Sequence, residues 1–186
     1  MKAPGAVPAA LRRIAVVGAE CVGKTTLCQA LAHILPALWV PEYLREFCDR
    51  AGRTPRPEEQ RGILHTQIEN EARMGQSAAA QGLSWLLCDS APIVTALYSR
   101  MLFDDATLMA PALQHHRQYW ATLLLEPDLS WFADGIQRDG PGVRADFHTL
   151  LAMQLQLQAI PHHRVHGQGV HRVDRAVLAL RALAPQ

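Results

Sequence analysis

Lysine is almost missing from this 186-residue chain: Lys2 and Lys24 are the only two, and arginine supplies the other fixed cations. With no lysine after Lys24, the Asn/Thr-Lys-x-Asp motif by which guanine-nucleotide switches read their base is excluded. Charge of one sign is also lacking. The net charge is +1, so no broad footprint for nucleic acid or a membrane surface is expected. Apolar runs of membrane-spanning length are absent. So is any Cys-x-x-Cys. The four cysteines, Cys21, Cys28, Cys48 and Cys88, are scattered in or beside apolar stretches. That pattern reads as reduced, buried thiols in a cytoplasmic protein, not as a disulfide framework. Residues 1–11 are rich in alanine and proline but carry no signal-peptide apolar core. They are expected to be a flexible tail, ahead of a single domain over residues 12–186.

What the chain does have is Gly18-Ala19-Glu20-Cys21-Val22-Gly23-Lys24-Thr25-Thr26. It follows the apolar run Ile14-Ala15-Val16-Val17 and precedes a helical pattern. This is the P-loop spacing G-x-x-x-x-G-K-[ST] in its strand–loop–helix context. The glycines let backbone N–H groups turn towards a phosphate, and the following helix adds its positive end. Lys24 is placed to reach the terminal phosphates and Thr25 to ligate Mg²⁺. Gly18, Glu20, Cys21, Val22, Gly23, Lys24, Thr25 and Thr26 are therefore the expected ATP contacts. Gly167, in Gly167-Gln168-Gly169, is read either as a turn against the adenine or as a plain turn.

The rest of the chain alternates strands and helices. Strands are expected at 12–17, 38–40, 85–89, 119–125 and 163–166. Helices are expected at 25–35, from about 43, at 58–74, between Gly75 and Gly82, at 92–103, 110–117, 143–159 and 173–183. The alternation predicts an α/β three-layer fold, with about five parallel strands and helices on both faces. Ligands should bind at the carboxyl ends of the strands.

Acids cluster at those ends. Asp89 closes the third strand and is read as a second Mg²⁺ or substrate ligand, or as a helix N-cap ahead of Pro92. Glu42 with Tyr43 and Arg45 is read as a substrate group or as an exposed first helical turn. Residues 129–145 look like a lid, with glycine hinges, Trp131, Asp134, and two arginines, Arg138 and Arg144, placed to swing onto phosphates. The pairs His115-His116 and His162-His163 have no cysteine or acid at zinc-ligand spacing.

Together these pieces resemble the ribosylnicotinamide kinase domain of the bacterial NAD-synthesis regulators and its stand-alone AAA-type relatives. The matching residues are Gly18–Thr26, Glu42-Tyr43-Leu44-Arg45-Glu46, Asp89 with Thr95, and Glu126-Pro127-Asp128 through Asp134-Gly135 to Arg144. Two positions depart from that pattern. Ser130-Trp131 stands for the usual Pro-Trp, and in Asp134-Gly135-Ile136-Gln137-Arg138 the arginine comes one place late. The resemblance implies a nucleoside-kinase-like fold, ATP with Mg²⁺, and phosphorylation of a riboside 5′-hydroxyl, nicotinamide riboside first. It implies catalytic roles for Lys24, Glu42, Asp89, Arg138 and Arg144. Tyr43, Arg45, Trp131 and Asp134 join Glu42 and Asp89 around a small-molecule nucleoside. Another nucleoside acceptor, a regulatory P-loop ATPase and a homo-oligomeric state stay open at this stage.

Overall fold

The structure, a computed structural model, describes residues 10–131 and 141–183. Strand β1 spans Arg12–Val17, β2 Ala37–Val40, β3 Trp85–Asp89, β4 Ala121–Leu125 and β5 His163–Val165. They form one parallel sheet in the order β2-β3-β1-β4-β5. The central strand is the one that feeds the P-loop. Its Ile14, Ala15, Val16 and Val17 have no exposed surface, as expected of a parallel strand covered on both faces.

The helices are α1 (Lys24–Ile34), α2 (Tyr43–Ala51), α3 (Gln60–Ala80), α4 (Pro92–Phe103), α5 (Met109–His116), α6 (Pro141–Leu157) and α7 (Gly169–Leu183). α1 and α7 pack together against the sheet, while α3, α4, α5 and α6 pack as a second group. Fully buried Phe147 of α6 stacks on Tyr98 of α4, with ring centroids 3.8 Å apart. The expected tail falls on residues 1–11, of which 1–9 lie outside the described residues.

One expected helix break is absent. Gly75 does not end a helix; α3 runs through it to Ala80. A Cβ at Gly75 would stand 3.3 Å from Arg13 Nη2 and 3.5 Å from Leu86 Cδ2. The glycine therefore serves close approach of α3 to β1 and β3, a packing demand that outweighs its helix-breaking tendency. The closing helix also begins earlier than its apolar pattern suggests, at Gly169.

Candidate active site

The P-loop leaves β1 at Gly18, whose φ is +155°. A Cβ there would stand 2.8 Å from Val22 Cγ2 and 3.1 Å from Leu125 O. Gly23, at φ +78°, caps α1 in the left-handed region, and a Cβ there would meet Leu129 Cδ1 at 3.1 Å. No side chain caps α1, so its first N–H groups face the loop's concavity. Lys24 Nζ donates to the carbonyls of Ala19 at 2.9 Å and Gly18 at 3.2 Å.

Sheet order explains the next contact. β3 lies beside β1 with Asp89 paired to Val16, which places Asp89 under the start of α1. Thr25 Oγ1 donates to Asp89 Oδ2 at 2.6 Å. Asp89 is fully buried, and its Oδ1 has no hydrogen-bond partner. Its pKa is pushed up to about 6, first by burial and then by the charge of Glu42. Lys24, the Thr25 hydroxyl and Arg45 pull the other way. Asp89 does not cap α4; Ala91 holds the N-cap position. Ser90, next along, has φ +57° and a buried, unpartnered Oγ. A strained residue and two orphaned oxygens at a strand end mark a place built for a ligand. A hydroxyl and a carboxylate in contact, with one carboxylate oxygen to spare, suit the hard, oxygen-seeking Mg²⁺.

Two cavities meet over this pair. The first, about 550 Å³, follows the loop from Cys21 to Thr26 and is closed by Glu42, Arg45, Leu129, Ser130 and Gln168. The second, about 320 Å³, is lined by Thr25, Trp39, Pro41, Glu42, Arg45, Glu46, Asp49, Arg50 and Asp89. Thr25, Glu42 and Arg45 belong to both.

The other expected residues fall in several places. Tyr43 turns from the second cavity's lining to Arg50, whose Nη2 donates to its hydroxyl at 2.7 Å. Trp131 Nε1 donates to Glu20 Oε1 at 3.0 Å, joining the start of the 129–145 segment to the P-loop. Gly167 N–H donates to Asp128 Oδ2 at 2.6 Å. Arg144 lies in the first turn of α6, one turn before Phe147 on the same inward face. It is 5% exposed, and its Nε and Nη2 have no hydrogen-bond partner. Its charge helps to depress the pKa values of His148 and Arg172, both lowered first by burial. Asp134 and Arg138 lie outside the described residues. His115 and His116 are buried on α5, His115 on Glu71 and His116 on Thr122.

Two participants were not singled out from the sequence. Trp39 lines the second cavity with its Nε1 buried and unpartnered. Arg172 of α7 is 4% exposed and ties three segments together. It donates to Val22 O in the P-loop, to Glu126 O, to the Asp128 carboxylate and to Gly167 O. No local pattern announces either. A tryptophan beside Pro41-Glu42 reads as core, and an arginine at the start of a helix reads as surface.

A family model described as an AAA domain matches residues 13–172. No curated protein matches the sequence. Among solved structures, a NadR protein in complex with NR superposes with a TM-score of 0.74 at 20% identity, covering 94% of this chain and 52% of that one. A NadR protein in complex with NAD and AMP-PNP gives 0.75 at 18%, covering 94% and 49%. The chain thus spans about half the length of those two proteins. A thymidylate kinase from Ehrlichia chaffeensis gives 0.64 at 13%, covering 93% and 98%. The fold shared with these structures is that of the P-loop kinases.

Proposed function

The chain belongs to the AAA domain family, and we propose that it transfers the γ-phosphoryl group of ATP to a small riboside, most directly nicotinamide riboside. The observation that carries this reading is the pair of joined cavities. A phosphate chain laid along the P-loop ends at Thr25, Glu42 and Arg45, where the second cavity begins. Hydrolysis alone needs only the first.

The residues divide the work accordingly. Lys24 exchanges its loop carbonyls for the β- and γ-phosphates, and the uncapped start of α1 holds the phosphate oxygens. Mg²⁺ on Thr25 and Asp89 would neutralise charge on the phosphates. Glu42 accepts the hydrogen of the riboside 5′-hydroxyl and orients it or takes its proton. The hydroxyl oxygen bonds to the γ-phosphorus as the bond to the bridging oxygen breaks, and ADP leaves. Arg144 offers two unpartnered donors for developing negative charge. Arg138 and Asp134 keep their assignments from the sequence.

The second cavity fits a cationic ring. Glu42, Glu46, Asp49 and Asp89 outnumber Arg45 and Arg50, and Trp39 supplies an aromatic face. The NadR structure holding NR has the same fold. The test is an ATP-coupled assay over nicotinamide riboside, nicotinic acid riboside, uridine, cytidine, adenosine and thymidine. The first should turn over fastest. A faster pyrimidine nucleoside would keep the kinase and discard this acceptor. No turnover with any would leave a regulatory ATPase.

A further inference from the structure

Glu42 stands at the N-cap position of α2, yet its side chain makes no capping bond. An N-cap carboxylate ordinarily accepts from the second or third N–H of its helix. The first N–H of α2 is held from another helix. The N–H of Tyr43, the first residue of α2, donates to Gln67 Oε1 of α3 at 2.8 Å. The backbone beside Glu42 is thereby held, while the Glu42 side chain, which makes no capping bond, lines both cavities.

Gln67 is itself held. It is 1% exposed, and its Nε2 donates to Glu71 Oε1 at 3.4 Å. Both ends of the amide are thus assigned by chemistry: a backbone N–H requires the oxygen, and a carboxylate requires the nitrogen. Glu71 has no exposed surface. The Tyr119 hydroxyl lies 2.9 and 2.7 Å from its two oxygens and shares its one hydrogen between them, and His115 Nε2 lies 2.8 Å from Oε2. Burial and the Glu71 charge raise the Tyr119 pKa well above its ordinary value, so the phenol stays a donor. The chain of contacts runs from α5 and the turn that follows it, through two buried side chains of α3, to the backbone beside Glu42.

We propose that Gln67, locked by Glu71, is a positioning residue that fixes Glu42 against the acceptor by holding the backbone N–H of Tyr43, the next residue along. The proposal rests on the kinase reading for its effect on turnover, and on geometry alone for the cap. A carboxylate displaced by even one ångström loses about 10²-fold in rate. A cap moved off Tyr43 leaves the P-loop untouched.

The test uses Gln67→Ala, Gln67→Glu and the exchanged pair Gln67→Glu/Glu71→Gln. Gln67→Ala should lower kcat/KM for the acceptor by about 10–100-fold and leave ATP affinity within about twofold. Gln67→Glu keeps an acceptor for Tyr43 but opposes Glu71 with like charge, and should be worse than the exchanged pair. The pair restores a donor–acceptor match at each contact and should recover most of the rate. Amide hydrogen exchange at Tyr43 supplies a readout without turnover, and Gln67→Ala should speed it about tenfold. Unchanged exchange overturns the proposal whatever the rates show. Equal losses in acceptor and ATP parameters, or an exchanged pair no better than Gln67→Glu, also overturn it. A parent protein that phosphorylates nothing defeats the kinase reading instead, and the exchange measurement then decides the cap.

Discussion

Replacing Asp89 with asparagine should stabilise this protein while disabling it. Asp89 is fully buried, and its pKa is raised from 3.8 to about 6, by burial first and Glu42 second. An acid raised in the folded state favours folding in its protonated form. That contribution is complete below the unfolded value of 3.8 and is lost as pH rises through about 6. About two pH units, at about 1.4 kcal/mol each, make the ionised carboxylate about 3 kcal/mol destabilising above neutrality. Asparagine keeps an oxygen for Thr25 and carries no charge. At the orphaned Oδ1 position it places an uncharged NH₂ with two donors, where the protonated acid places one O–H. Asp89→Asn should therefore match the parent near pH 4 and exceed it by about 3 kcal/mol at about pH 8, roughly 6–12 °C in Tm for a chain of this size. Urea unfolding of both proteins across that range, without nucleotide or metal, measures the gap. Glu42→Gln removes the second cause, so the decline with rising pH should be smaller and be complete at lower pH. Parallel stability curves for the parent and Asp89→Asn would refute the reasoning.

Other perturbations separate the parts of the site. Lys24→Ala should abolish detectable ATP binding by calorimetry with little change in unfolding, because the ammonium touches only loop carbonyls; unchanged affinity would dismiss the phosphate site. Glu42→Gln should lower turnover by about 10²–10⁴-fold, measured at saturating ATP, and near-parental rates would send the search for the acceptor-side acid elsewhere. Arg144→Ala should reduce kcat more than ATP affinity, since a cation acting late in the reaction is felt in the chemical step; the same comparison on Arg138→Ala tells which arginine does so. Arg172→Met should cost about 2–4 kcal/mol and weaken ATP binding together, because it releases Val22 along with Asp128 and Gly167. A normal Tm in that variant would contradict the tie.

What the sequence made legible was local. The P-loop spacing, the residues of β1 and β3, and an acid at the end of β3 each follow from a short pattern, and the structure puts Asp89 on Thr25. What it hid depends on contacts distant in the chain. Gly75 looks like a breaker until Arg13 and Leu86 are seen against it. Gln67 looks like a polar helix residue until Tyr43 is found 24 positions back. Trp39 and Tyr43 exchange the roles that their types suggest, because the pleat of β2 and the turn into α2 decide which ring faces the cavity. Strand order was likewise beyond any periodicity, and it is strand order that sets Asp89 beside Val16.

The Arg172 tie bears on how the chain is made. The Val22 carbonyl in the P-loop is held by a side chain 150 positions later. During synthesis the loop and its strand emerge long before the group that secures them, which belongs to α7. Until α7 has formed and docked, the loop lacks its anchor to Asp128 and Gly167. A nucleotide at this loop would then have no finished cradle, and would lend no binding energy to a chain without α7. Protection by any nucleotide held at the loop should therefore appear only once α7 has emerged and docked.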